Sequence, residues 1–246
     1  MNKFIFPLIL TFLVIFPLTS SLAERNWHFT DNSNVGVQRD ARRIDPTCAL
    51  GKNQSPVNIS NSYEADTGPL KFTYNHASDK YRYTDDQLKI RFTNGNFRIE
   101  DEGYQLIEVH FHSPSEHQIS GKIFPLEAHF KNIDKDGKVA FISVLFKKGR
   151  ENVSLKAFLD NLPERTHRFY SGPFNYMTAS KLLPSDKSYF RINGSLTSSP
   201  CSEGVLWFVM QHQVTISARQ ITAMEKVIKA PNNRSIQPLN FRIITQ

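Results

Sequence analysis

Cysteine is scarce: Cys48 and Cys201 are the only two in 246 residues. Two are too few for a cysteine-ligated metal site. The chain has no internal repeat and no low-complexity tract. Its one long apolar stretch, Phe4 to Leu18, is short for a membrane span and is interrupted by Pro7 and Pro17. No arginine-rich helix and no aromatic RNA-binding signature accompanies the net charge of +7. The basic residues are scattered, and the tightest cluster, Lys147-Lys148 with Arg150, reads as a solvated face. Nucleic acid is therefore not an expected partner, although weak attraction to an anionic surface stays open. Helical signals are also few. Ser154 to Leu162, Met177 to Leu183 and Ser217 to Ile228 are the readable ones, two of them followed directly by proline.

Bulk and strand signal are plentiful. Hydrophobic residues make up 39% and charged residues 22% of the chain, with 19 Phe and 8 Tyr to fill a core. The N-terminus reads as a leader: Lys3, the apolar run, then small residues at Ser21 and Ala23 before a cleavage near Glu24. A retained anchor is the alternative. The expected organisation is a signal peptide at 1–23 and one domain at 24–246. Export to a periplasmic or secreted location would let Cys48 and Cys201 pair, with no stable membrane insertion after cleavage. Two separate buried thiols are the other possibility. Leu88 to Phe92, Val109 to His112, Ala128 to Phe130, Val139 to Phe146 and Val205 to Met210 read as strands separated by polar and Gly-containing turns. Strands that follow one another without regular helices predict a mainly β fold, a large twisted and mostly antiparallel sheet with a few short peripheral helices.

The chemistry concentrates in two of these strands. In an extended segment residues i and i+2 share a face, so His110 and His112 point the same way. The Gly121-Lys122 turn lets the segment Phe124 to Phe130 fold back and bring His129 across from them. Three neutral imidazoles with one open position is a catalytic zinc layout. Glu108 and Glu127 each lie two residues before a histidine, placed to accept a proton from its far nitrogen and fix its orientation. Glu116 is open to three roles: ligand, buried acceptor or surface charge. His117 is read as a core hydrogen-bonding residue rather than a ligand. Far downstream, the hydroxyl-rich loop Ser195 to Ser199 offers Thr197 as a partner for a zinc-activated water if Glu116 takes its proton; spacing alone favours an ordinary Ser/Thr turn.

At these residues the chain resembles the alpha carbonic anhydrases of bacterial type. The matching pieces are Gln54-Ser55-Pro56, His110 to His117, Glu127-Ala128-His129, Ser195 through Trp207, Asn232 to Arg234 and Gln237-Pro238-Leu239. The resemblance implies Zn(2+) on His110, His112 and His129, and reversible hydration of CO2 to bicarbonate and a proton. It implies a gatekeeper hydroxyl at Thr197 backed by Glu116, and a backbone acceptor for His112 near Asn232. Leu196, Ser198, Val205 and Trp207 would line the substrate pocket, and a Cys48–Cys201 disulfide would brace the Thr197 loop. The partners implied are CO2, bicarbonate and water, and a homodimer is left open.

Several positions depart from the family pattern. Asn96 stands where a proton-shuttling histidine is usual and cannot titrate. Lys131 and Phe141 replace small apolar residues of the CO2 pocket. Glu108 replaces a glutamine, Phe29 and Ile192 replace tyrosines, Ser199 replaces a proline, and a Gly-Pro-x-x-Trp segment before Cys48 is missing. The expectation is a slowed hydratase that depends on buffer. Two rivals remain: a cupin-like metal site using Glu116, and a zinc-containing binding protein with little catalysis.

Overall fold

The computed structural model describes residues 45–83, 87–162 and 175–246. The expected leader, the start of the expected domain and Phe29 lie outside them. The strands are β1 (Asn58–Ile59), β2 (Lys71–Phe72), β3 (Lys80–Tyr83), β4 (Leu88–Arg91), β5 (Asn96–Ile99), β6 (Glu102–His112), β7 (Gln118–Ile119), β8 (Leu126–Ile133), β9 (Val139–Lys148), β10 (Tyr189–Ser195), β11 (Glu203–Met210) and β12 (Val214–Ile216). Ten of them form one sheet with the path β10-β11-β9-β8-β6-β4-β3, to which β5, β2 and β12 attach at the sides. Pairing is mostly antiparallel, as the strand succession predicts. The exceptions within this sheet are β11 and β12, which both run parallel to β9.

Alternation along the central strands gives the sheet two different faces. On one face Tyr104, Leu106, Val109, Phe111, Phe130, Ile142 and Phe208 join the larger core cluster. Helices α2 (Val153–Asp160) and α3 (Ala218–Ile228) cover it with Leu155, Phe158, Met224 and Ile228. Both begin on side-chain caps: Asn152 accepts from Leu155 N, and Ser217 forms a reciprocal box with Gln220. The Met177 to Leu183 signal resolves as a short 3-10 turn, Ala179–Leu182. The remaining helix, α1 (Pro46–Leu50), starts on the Asp45 cap and carries Cys48.

The other face carries a second apolar cluster, including Val57, Phe124, Phe141, Leu145, Val205, Trp207 and Val209. His110, His112 and His129 sit on this face. Two local irregularities place them there. The register shifts between Leu106 and Glu108, so Leu106 points into the core while Glu108 and His110 point out. Gly121 turns the chain with φ +76, a conformation that suits glycine.

Candidate metal centre

Register across the sheet assembles the site in rows. His110 pairs with His129, which pairs with Ser143 on β9. The next row holds His112, Glu127 and Leu145. The row on the other side runs Glu108, Lys131, Phe141, Trp207 and Ile192 across five strands. The ring of His110 lies 5.2 Å from that of His112 and 5.3 Å from that of His129, and the last two are 4.6 Å apart. One nitrogen from each of the three falls within 4.8 Å of the others.

Two of the three histidines are hydrogen-bonded from behind. Asn232 O accepts from His112 Nδ1 at 2.9 Å, and the Asn232 side chain accepts from Ser113 N and donates to Phe111 O on either side of that histidine. Glu127 Oε1 accepts from His129 Nε2 at 2.7 Å. Glu108 Oε1 lies 3.5 Å from His110 Nδ1, an electrostatic contact longer than a hydrogen bond, and 3.5 Å from Lys89 Nζ. His110 Nδ1 is therefore buried without a hydrogen-bond partner, and so are His112 Nε2 and His129 Nδ1, the nitrogens opposite the two anchored ones. Buried polar atoms without partners are costly and rare in proteins. Two on neighbouring imidazoles, in a cluster whose opposite nitrogens are anchored, fit a cation with histidine ligands.

Burial sets the protonation of this cluster. It pushes His110 down to about 4 and His112 to about 3, and it lowers His129 as well. The imidazoles are therefore neutral near pH 7, the form that binds metal. Burial pushes Glu108 up, but His110, Lys89 and Lys131 together outweigh it and leave the carboxyl at about 2. Glu127 follows the same pattern: His129 and His117 overcome its burial and hold it well below the usual carboxylate range.

Glu127 does more than orient His129. Its Oε1 also takes bonds from His117 Nδ1 at 2.8 Å and Ser143 Oγ at 2.6 Å, and its Oε2 accepts from the backbone N–H of Glu116 and His117. His117 is thus bonded to Glu127 behind the three histidines. Ser143 has no counterpart in the sequence reading. Its signal was a lone hydroxyl in the otherwise apolar run from Val139 to Phe146. Arg234 belongs to a segment the sequence reading matched to the family but was given no role there. Its N–H donates to Glu116 Oε1 at 2.8 Å, while its guanidinium bonds to Gln54 Oε1, Ser55 O and Cys48 O.

Glu116 is buried, which raises its carboxyl to about 7 against the opposing pull of His129, the Arg234 N–H and the Thr197 hydroxyl. Thr197 is itself nearly buried. The loop that holds it is closed by Leu196 N to Ser202 O and Cys201 N to Ser198 O. Leu196 and Ser198 are half-buried, while Val205 and Trp207 are buried. Trp207 lies 4.8 Å from His129 between ring centroids and donates its Nε1–H to Ser195 O. Phe141 stacks on Trp207 at 4.5 Å and 14° and lies 5.8 Å from the His129 ring. Lys131 faces the same side, opposite Glu108, and is half-buried. Ser199 is half-buried in the Thr197 loop. Asn96 is exposed on β5, opposite Gln105. Cys48 and Cys201 form a disulfide with Cα atoms 5.1 Å apart.

A curled sheet that brings three buried imidazoles together gives a mainly β protein with a candidate histidine metal site. Comparison with known proteins makes this specific. The family model for eukaryotic-type carbonic anhydrase matches residues 39–246. A carbonic anhydrase of Pectobacterium carotovorum is 38% identical over 198 residues, covering 80% of this chain and 81% of the relative. The alpha-carbonic anhydrase of Photobacterium profundum superposes with a TM-score of 0.80 at 33% identity, over 90% of this chain and all of the other (100%). A dioscorin solved in complex with ascorbate superposes with a TM-score of 0.79 at 28% identity, over 90% and 97%. The chain belongs to the alpha carbonic anhydrases, enzymes that hydrate carbon dioxide reversibly.

Proposed function

We propose that the protein is a zinc-dependent carbonic anhydrase whose turnover is slowed by a filled CO2 pocket and by the absence of a proton-shuttling histidine. The observation that carries the zinc assignment is the pair of buried, partnerless nitrogens, His112 Nε2 and His129 Nδ1, beside His110. Asn232 O and Glu127 occupy the other nitrogens of His112 and His129, and so fix which atoms are left to bind. His110, His112 and His129 would hold the zinc, which would supply a water acidified toward neutrality, an effect for which carbonic anhydrase itself is the standard example.

The chain's own residues supply the rest. Thr197 directs its hydroxyl proton toward Glu116, which leaves an oxygen lone pair to accept from the attacking water and aim it. Glu116 is held for this by the Arg234 N–H. Leu196, Val205 and Trp207 exclude water from the space where CO2 rests. Phe141 occupies part of that space by stacking on Trp207. Asn96 offers no titratable group, so the proton released with bicarbonate passes to buffer. A leader at 1–23 and a mature domain at 24–246 fit an exported protein, periplasmic or secreted, and the Cys48–Cys201 disulfide fits an oxidising compartment.

The filled pocket also favours a second reading, a zinc-containing binding protein with little catalysis, and a dioscorin is among the structural relatives. Stopped-flow CO2 hydration by the zinc-loaded mature protein, beside Thr197→Ala and His129→Ala, separates the two. The enzyme reading expects a wild-type rate above background that falls at least about a hundredfold in each variant. Equal background rates in all three establish the binding reading. A wild-type rate in low buffer equal to that of the fastest family members removes the slow assignment.

A further inference from the structure

Every second residue of β3 and β4 is a cation. Lys80 and Arg82 alternate with the buried Tyr81 and Tyr83, and Lys89 and Arg91 alternate with the buried Leu88 and Ile90. The four apolar partners belong to the larger core, so the four cations stand on the opposite face, the one that carries the histidines. Register sets them against one another: Lys80 is directly opposite Arg91, and Arg82 directly opposite Lys89. On the same face, Lys71 of β2 is directly opposite Arg98 of β5. Like charges opposed in this way destabilise a strand pair. Strands β2 to β5 together hold six cations and no carboxylate. Glu108, opposite Arg91, already lies 3.5 Å from Lys89 Nζ, and Asp79, beside Lys80 in sequence, accepts from Thr93 N. Arg82 has a partner as well. Among the described residues Lys71, Lys80, Arg91 and Arg98 are in no ion pair.

We propose that this cationic face docks on an anionic phospholipid surface, with Lys71, Lys80, Arg91 and Arg98 meeting lipid phosphates. The free protein bears the cost of three opposed cation pairs, and a layer of phosphates removes it. Clusters of about four to eight Lys or Arg residues are what an anionic leaflet attracts. The four unpaired cations are exposed, so an extended layer of headgroups can reach them all. The aromatic residues of these strands, Phe72, Tyr81, Tyr83 and Phe97, all turn to the core, which leaves no ring beside the cations to stack on a nucleic-acid base. Arg91 is paired in register with Glu108, two residues before His110, so docking sets the metal centre beside the lipid. Surface cations are screened by salt, and the attachment is therefore reversible and weakens as ionic strength rises. None of this depends on the hydratase reading.

The test is co-sedimentation of the zinc-loaded mature protein with vesicles of phosphatidylcholine alone or mixed with phosphatidylglycerol. Wild type is compared with Lys80→Gln/Arg91→Gln and with Lys147→Gln/Lys148→Gln, which removes the same charge from exposed positions at the far end of β9. Wild type should bind only the mixed vesicles. Its partition should fall about tenfold or more in the first variant and less than about twofold in the second. Thermal unfolding of Lys80→Glu separates docking from misfolding. This change puts opposite charges across the ladder from Arg91, so the midpoint should rise while vesicle binding weakens. Equal loss in the two glutamine variants assigns the binding to net charge and overturns the proposal. So does a midpoint that falls in Lys80→Glu, because the opposed cations are then no cost for lipid to relieve. A wild type that ignores the mixed vesicles also overturns it, and capture by alginate in that case assigns the face to an acidic polysaccharide.

Discussion

The Phe141 ring is 4% exposed, sandwiched between the Trp207 face and the edges of His110 and His129. Stacking of this kind adds about 0.5–1.5 kcal/mol to the apolar burial of the ring. On the proposed function the same volume is where a neutral, linear substrate would rest against Trp207, and stability and turnover then make opposite demands on this position. Valine keeps the β-branched shape suited to a strand and removes most of the ring. Phe141→Val should therefore lower stability by about 2 kcal/mol, within the range for partial truncation of a buried aromatic. It should raise kcat/KM for CO2 about tenfold, equivalent to about 1.4 kcal/mol of barrier. Urea unfolding and stopped-flow hydration measure the two effects on one preparation. A variant that binds zinc but gains no rate shows that the ring does not obstruct the substrate.

At the level of elements, helix α3 shows how local chemistry writes a boundary. Ser217 Oγ accepts from Gln220 N, and Gln220 Oε1 returns a bond to Ser217 N. Gln220 also bridges to the start of α2 through both Asn152 N and Asn152 O. Ser217→Ala should cost about 1 kcal/mol, a shift of about 2–4 °C in unfolding temperature for a chain of this size, with zinc binding unchanged. Differential scanning calorimetry and a chelator competition would check this, and an unaltered midpoint would show that the cap is redundant. The start of α3 was legible because a cap and an apolar stripe are local signals. The strands of the site were legible for the same reason: period-two alternation placed His110 and His112 on one face, and the Gly121-Lys122 turn folded His129 back across from them. What the sequence could not show is register. Glu108, Lys131, Phe141 and Ile192 are far apart in the chain, yet all four stand in one row that crosses the sheet beside the histidines. Four departures from the family pattern are thus neighbours in space. The parallel pairing of β9 with β11 that builds this row joins residues 66 apart in sequence, and no local pattern encodes such a contact. The reach of Glu127 to Ser143 was hidden likewise, since it depends on β8 lying beside β9, and its bond to His117 depends on how the chain bends after β6.

For the molecule as a whole, the Cys48–Cys201 bond links the first described helix to the loop that carries Thr197 across a sequence separation of 153. A cross-link closing a loop of that length restricts the unfolded chain by about 5 kcal/mol in the chain-entropy account. The full amount is not expected on removal, because the two segments are also joined without sulfur. Gln54 Nε2 donates to Cys201 O at 3.1 Å, and Glu203 accepts from Gln54 Nε2 and from Asn53 N. Arg234 adds a bond to Cys48 O and anchors Glu116 from the same position. These contacts preserve the native arrangement of the Thr197 loop but do nothing to limit the unfolded state. The double variant Cys48→Ser/Cys201→Ser should therefore fold, lose about 3–5 kcal/mol of stability by urea titration, and retain most of its zinc affinity. Reducing agent should have the same effect on the wild type and none on the variant. If the variant instead loses zinc while its unfolding midpoint is unchanged, the bond acts on the geometry of the site, and its role as a constraint on the unfolded chain is wrong.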